Sequence, residues 1–105
     1  MRRIQLREIA HSRAGDKGNT LNISVIAFSE ADYELIRSQV TVERVADLFR
    51  DIVRGRIERY EVPNIGALNF VMHDALAGGV TRSLRIDPHG KSLSSALLTL
   101  ELEIP

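Results

Sequence analysis

Alternating hydrophobic and polar positions predict two strands in the N-terminal part of the chain. Ile4 and Leu6 alternate with polar neighbours, and after a polar interruption the alternation returns over residues 20–28. Because successive side chains of a strand point to opposite faces, this period of two indicates strands with one buried face. The buried face of the second strand is predicted to consist of Leu21, Ile23, Val25 and Ala27.

The middle of the chain changes to the period of an α-helix. Ser29 is placed to cap a short helix that ends near Gln39, because its hydroxyl can accept a hydrogen bond from an amide of the first turn. A second helix is predicted to begin at Thr41 and to stop at Gly55. Its apolar stripe consists of Val42, Val45, Ala46, Phe49 and Ile52.

Residues 56–62 predict a charged strand at a sheet edge, and Pro63 ends it because proline cannot continue the ladder of hydrogen bonds. Asn64 is a candidate N-cap for a helix that Gly78 and Gly79 would end. Residues 67–72 also fit a strand, and the two interpretations remain alternatives. The apolar face of the helix would contain Ile65, Leu68, Met72 and Leu76.

Residues 81–86 and 98–104 alternate again and predict a C-terminal hairpin, with a bulge near Ser94 and Ser95. Residues 87–90 between them have turn chemistry, since proline fixes φ and glycine tolerates positive φ. The order ββααβαββ predicts an α+β fold, with helices packed on one face of a mainly antiparallel sheet. A length of 105 residues is typical of one domain, so we expect a single domain over residues 1–105.

Composition and charge exclude several classes of protein. The 14 basic and 14 acidic residues give a formal charge of zero, so no extended positive surface attracts nucleic acid. The absence of cysteine excludes disulfides and thiolate metal sites. No segment approaches the roughly 20 apolar residues of a membrane helix, and the N-terminus lacks the pattern of a signal peptide. We therefore expect a cytoplasmic protein with neither nucleic acid nor membrane as a partner.

The polar segment over residues 11–20 is the best candidate binding site, because it is the densest in glycine, charge and hydrogen-bond donors. Glycine lets backbone amides turn towards a ligand, and Arg13 or Lys17 supplies the positive charge that holds a phosphate or carboxylate. The alternative is a tight hairpin with solvated turn residues. The spacing fits neither a phosphate-binding P-loop nor a dinucleotide fingerprint.

No complete catalytic constellation is recognisable. The histidines His11, His73 and His89 show no spacing typical of a metal site, so we expect no metal and no cofactor. In the predicted helix His73 and Asp74 would point in different directions, which argues against a His-Asp relay. The serines lack the context of a nucleophile elbow. No catalytic residue is assigned.

Residues 13–27 read RAGDKGNTLNISVIA, which resembles the signature of AtuA-like domains, named after acyclic terpene utilisation. The resemblance continues through residues 67–71, 78–85 and 87–91, and so covers nearly the whole chain. It implies a two-layer ferredoxin-like fold, in a domain found alone or at the C-terminus of a larger AtuA protein of bacterial terpenoid or related acid catabolism. Where the family often has serine and glycine, this chain has Ala14 and Ser24.

The AtuA-like resemblance and the polar segment over residues 11–20 together indicate nine candidate ligand-binding residues. These are Arg13, Gly15, Asp16, Lys17, Gly18, Asn19, Asn22, Asn69 and Arg82. We expect an accessory subunit that binds an anionic metabolite, either an acyl-CoA or a carboxylic acid. A larger AtuA-type protein is the expected partner, and a homo-oligomer the expected assembly. In the alternative without a ligand, these residues form a structural network in which Asn22 ties strand to loop and Arg82 pairs with Asp16.

Two further functions remain open. A small homo-oligomeric hydratase, lyase or isomerase would use Asp16 as its acid-base group and Lys17 or Arg13 as an anion clamp. A non-catalytic scaffold would instead pair an exposed edge strand with another copy of the chain. Turnover by the isolated protein separates the first of these from a binding subunit.

Overall fold

The computed structural model describes residues 2–17, 20–50, 53, 55–74 and 91–105, and within these ranges the chain forms six strands and three short helices. The strands are β1 (Arg2–Gln5), β2 (Ala10–Lys17), β3 (Thr20–Ala27), β4 (Ile57–Val62), β5 (Ala67–Met72) and β6 (Glu101–Ile104). The helices are α1 (Tyr33–Gln39), α2 (Val42–Leu48) and α3 (Lys91–Leu97). Short 3-10 helices cover Leu6–Glu8, Glu30–Asp32 and Pro63–Ile65. This composition confirms the predicted α+β class.

The larger sheet contains four strands in the order β2-β3-β5-β4, and every neighbouring pair is antiparallel. β2 and β3 form a hairpin in which Lys17 pairs with Thr20. β4 lies at one edge of this sheet, as its charged sequence predicts. β1 and β6 pair with each other in a separate two-stranded sheet.

One face of the four-stranded sheet forms the core. In an antiparallel pair, directly opposed residues lie on the same face, and Ile23 of β3 is opposite Phe70 of β5 with both side chains fully buried. Ile36 of α1, Val45 of α2 and Leu97 of α3 are also fully buried and belong to the same hydrophobic cluster. The helices therefore cover this face, and none of those described is long and apolar enough to span a membrane.

We call the opposite side of this sheet the open face. The register of the four strands assigns to it His11, Arg13, Gly15, Asn22, Ser24, Ile26, Glu58, Tyr60, Val62, Ala67, Asn69 and Val71. Apart from Ala67, these residues are exposed or half-buried. Antiparallel sheets commonly have one packed and one solvated face, and polar residues accordingly alternate with the core residues along β3.

The two predicted central helices are confirmed, together with their caps. The Ser29 hydroxyl accepts a hydrogen bond from the Ala31 amide at 3.3 Å, at the start of the turn that leads into α1. The Thr41 hydroxyl accepts one from the Arg44 amide at 3.2 Å, at the start of α2. α2 ends at Leu48, well before Gly55, so the predicted C-terminus of this helix is too late.

The helix predicted from Asn64 is wrong, and the strand alternative for residues 67–72 is right. Pro63–Ile65 form only a 3-10 turn, which Gly66 closes in the left-handed region at φ 63°. β5 then inserts between β3 and β4, where it satisfies hydrogen bonds on both sides. The apolar spacing that resembles a helix also alternates, so Leu68, Phe70 and Met72 all reach the core.

The predicted C-terminal hairpin is replaced in part by a helix. α3 occupies the place of the expected bulge, because Leu93 and Leu97 lie one helical turn apart and both are buried in the core. β6 follows and pairs with β1. Residues 81–86 and the predicted turn at 87–90 lie outside the described residues.

The polar segment over residues 11–20 is strand for most of its length. β2 runs to Lys17 and pairs residue by residue with β3, so the loop predicted there shrinks to the connection at residues 18 and 19, which lie outside the described part. The open face accounts for His11 and Arg13, whereas Ser12 and Asp16 lie opposite the core residues Val25 and Leu21.

We expect Gly55→Ala to lower the free energy of unfolding by about 1–3 kcal/mol, the usual range for overpacking. The Gly55 amide donates to the His73 carbonyl at 3.0 Å, and a Cβ on Gly55 would lie only 2.4 Å from that oxygen. Gly15→Ala is the matched control, because a Cβ there has nothing within 4 Å. Urea denaturation should show the control within about 0.5 kcal/mol of the parent. Equal stability of the two variants would contradict this account.

Candidate functional site

Arg13 is the central residue of the candidate site. It lies on β2 opposite Ser24, and its side chain is exposed. Within the described ranges it has neither a hydrogen bond nor an ion pair. A guanidinium group carries five donors in a planar fork that matches carboxylate and phosphate oxygens. Arg13 is therefore available to bind an anion.

A cleft of about 510 Å³ lies beside Arg13, between β2 and α3. Small-molecule sites usually occupy about 300–1,000 Å³, so the cleft is large enough for a metabolite or for part of one. Its lining combines one cation with three serines, of which the exposed Ser95 can donate a hydrogen bond to an oxyanion. The lining residues are Ser12, Arg13, Ala14, Ser94 and Ser95.

Ser12 supplies the most unusual group in the cleft. Its hydroxyl oxygen is inaccessible to solvent and has no hydrogen-bond partner among the residues described. Leaving a buried polar group unpaired costs about 1–3 kcal/mol, so such groups are rare in proteins. Because Ser12 lines the cleft, a rotation of its side chain that exposes the hydroxyl would let a ligand supply the missing partner.

A row of paired residues crosses the open face from Arg13. The Ser24 hydroxyl donates to Asn69 Oδ1 at 3.2 Å, which joins β3 to β5. Arg13 lies opposite Ser24 on one side, and Tyr60 lies opposite Asn69 on the other. The bond orients the Asn69 amide on the surface of the sheet, and the ligand role of Asn69 stays a prediction.

The structure brings together four of the nine predicted site residues. Arg13, Gly15, Asn22 and Asn69 share the open face, and the exposed Asn22 lies opposite Gly15. At the end of β2 the backbone of Asp16 pairs with Leu21, and that of Lys17 pairs with Thr20. The remaining predicted residues, Gly18, Asn19 and Arg82, lie outside the described part of the chain.

A family model named the AtuA ferredoxin-like domain matches residues 4–103. The chain belongs to this family. The match confirms the resemblance seen in the sequence motifs and the ferredoxin-like α+β architecture. No curated protein and no solved structure matches the chain.

The AtuA ferredoxin-like domain also contains a pair of ionisable residues that the sequence analysis missed. His73 Nε2 lies 2.6 Å from Glu58 Oε1, and both side chains are partly buried. An ionised carboxylate can only accept, so Nε2 is the donor. The hydrogen bond from His73 lowers the pKa of Glu58, with a smaller contribution from the Tyr60 hydroxyl and from the Arg56 guanidinium 3.8 Å away.

This pair was missed because the sequence analysis placed His73 on a helix. In the structure His73 follows β5, where its amide donates to the Arg56 carbonyl and extends the pairing with β4. The signal that could have found it is the strand alternative for residues 67–72, which brings His73 beside the charged edge strand. Across the described ranges of the domain, no group of three or more metal-binding side chains is close enough to hold a metal ion.

We expect Glu58→Gln to lower the free energy of unfolding at neutral pH. We also expect the free energy of unfolding of the variant to fall less in acid than that of the parent protein. The pKa of Glu58 is lowered in the fold from an ordinary value of 4.5, so its stabilisation is present above that pH and is lost as the pH falls through the folded pKa. Urea unfolding between about pH 3 and pH 7 should therefore show that the free energies of unfolding of the parent and the variant become similar in acid.

The control for this experiment is Glu43→Gln. Glu43 is an exposed carboxylate on α2 that forms no ion pair with any described residue. Its variant removes one exposed carboxylate without altering the hydrogen bond to His73, so convergence with the parent protein in acid should be specific to Glu58→Gln. If Glu58→Gln behaved in the same way, the hydrogen bond to His73 would not contribute to stability.

Proposed function

We propose that this AtuA ferredoxin-like domain binds an anionic metabolite, an acyl-CoA or a carboxylic acid, in the cleft between β2 and α3. The observation that carries the proposal is that Arg13, a cation with no ion-pair partner among the described residues, lines a cleft of about 510 Å³ together with three serines and Ala14. The anion would accept hydrogen bonds from the guanidinium and, after a rotation of the Ser12 side chain that exposes its oxygen, from the Ser12 hydroxyl.

The energetics favour an anion over a neutral ligand. Charge-assisted hydrogen bonds contribute about 1.5–3 kcal/mol each, roughly twice the value of neutral ones. They are strongest where water is excluded. A neutral acceptor would also receive a hydrogen bond from Arg13, but without the Coulomb attraction between opposite charges.

The overall charge supports a small anion as the ligand, and argues against a polyanion. With a formal charge of zero, the chain has no long-range field to concentrate a polymer of phosphates on its surface. One unpaired arginine beside a cleft can instead select a single carboxylate or phosphate group by geometry. The proposed ligand is therefore a metabolite.

We further propose that the domain acts as an accessory subunit beside a larger AtuA-type protein in bacterial catabolism of terpenoid or related acids. Family membership supports this context, because AtuA takes its name from acyclic terpene utilisation.

Purification of the native protein under mild conditions should recover the larger partner, and light scattering should show the expected homo-oligomer. Turnover by the isolated chain would favour the enzyme alternative.

The binding proposal predicts that phosphate, CoA, acyl-CoAs or branched carboxylic acids raise the melting temperature, and that Arg13→Gln removes this effect. A ligand at a hundredfold excess over Kd stabilises the native state by about 2.7 kcal/mol. Loss of one charge-assisted contact should weaken binding by roughly 10- to 150-fold. The control is Arg50→Gln, since among the described residues Arg50 forms its one ion pair with the exposed Asp47. Equal ligand response in both variants would refute the site.

Ser12→Ala provides a second test with an unusual signature. Because the buried hydroxyl has no hydrogen-bond partner among the described residues, its removal should leave the free protein as stable as the parent or more stable. Ligand affinity should nevertheless fall, as measured by calorimetric titration with whichever anion stabilises the parent protein. A variant that lost stability and kept its affinity would assign Ser12 a purely structural role.

A further inference from the structure

Two aromatic rings lie next to Arg13 on the open face. The rings of His11 and Phe28 stack with their centroids 5.5 Å apart and their planes inclined by 17°. Phe28 remains 64% exposed, and His11 is exposed as well. We call these two side chains the ring pair. It leaves much of a large apolar surface in contact with water.

The backbone holds the ring pair in place from both sides. The Phe28 amide donates to the Ile9 carbonyl at 2.9 Å, and the preceding Ala27 amide donates to the Gly66 carbonyl at 2.9 Å. His11 belongs to β2 and pairs with Ile26. The backbone of both residues is therefore held by hydrogen bonds. Less conformational entropy is then lost when a ligand stacks on the rings.

The distance between the ring pair and Arg13 limits the chemistry of a shared ligand. His11 and Arg13 are two residues apart on the same face of β2, which separates them by about 7 Å along the strand. A ligand that used both would need a flat ring at one end and an anionic group about 7 Å away. A purine nucleotide has both features, since its base can stack on aromatic rings and its phosphates bind arginine.

We propose that the ring pair and Arg13 bind the nucleotide portion of the ligand, with the base on Phe28 and a phosphate on Arg13. This inference rests on the proposed function and selects the acyl-CoA over the free carboxylic acid, because only the thioester carries an adenine nucleotide. The cleft lies on the helix-covered side of β2, so the remainder of the molecule would pass the outer edge of β2 beside Arg13 to enter it. The nucleotide lies outside the cleft on the open face, where a flat ring needs no enclosed pocket.

The test compares ADP with inorganic pyrophosphate by calorimetric titration of the full chain, because the pair differs by the nucleoside alone. ADP should bind about 5- to 150-fold more tightly, the range observed for stacking of one base on an aromatic side chain. Phe28→Ala should abolish this difference and leave the affinity for pyrophosphate unchanged. Ile65→Ala is the matched control, since Ile65 is equally exposed at 63% and lies outside the ring pair.

Other outcomes would overturn the inference in distinguishable ways. Equal affinity for ADP and pyrophosphate, or full ADP affinity in Phe28→Ala, would reject the nucleotide site and leave the anion site intact. Arg13-dependent binding of branched carboxylic acids without ADP binding would have the same meaning. Failure of every anion to bind would reject the proposed function as well. If Phe28→Ala dissociated an oligomer and kept ADP affinity, the ring pair would be a contact between copies.

Discussion

The register of β3 is the constraint on which the rest of this domain depends. β3 pairs with β2 on one side and β5 on the other, and its alternation directs Ile23 and Val25 into the core and Asn22 and Ser24 onto the open face. A shift by one residue would exchange the two sets, burying amide and hydroxyl groups and exposing the apolar ones. Burial of the core residues thus also determines which polar groups line the site.

The candidate site follows from the same register. Pairing with β3 places Arg13 opposite Ser24, and pairing of β3 with β5 brings Asn69 to that hydroxyl. α3 packs against β2 because Leu97 is fully buried in the common core, and the cleft opens where hydroxyl groups line the two elements. Apolar contacts therefore create the cavity, and polar residues on the same elements supply its chemistry.

Charge is distributed unequally across the open face. At the β4 edge the carboxylate of Glu58 is already satisfied by His73, with Arg56 close by. At the β2 side Arg13 has no acidic partner in the described part of the chain. Arg13 is therefore the cation of this face without a described acidic partner, next to the ring pair and at the β2 edge that borders the cleft. The proposed anion site rests on this asymmetry within a chain of zero formal charge.

Local patterns in the sequence were sufficient to predict β3, the charged edge strand β4 and the helix caps at Ser29 and Thr41. Sequence motifs were sufficient to predict the family. Alternation, capping and motifs each act over a few residues, so they can be read without the tertiary structure. Tertiary structure decided β5, whose apolar spacing fits both a helix and a strand until β3 and β4 offer hydrogen bonds on both sides. It also decided α3, whose leucines needed a core to cover. The site itself joins residues as distant as Ser24 and Asn69, and such pairing depends on strand order, which no local pattern encodes.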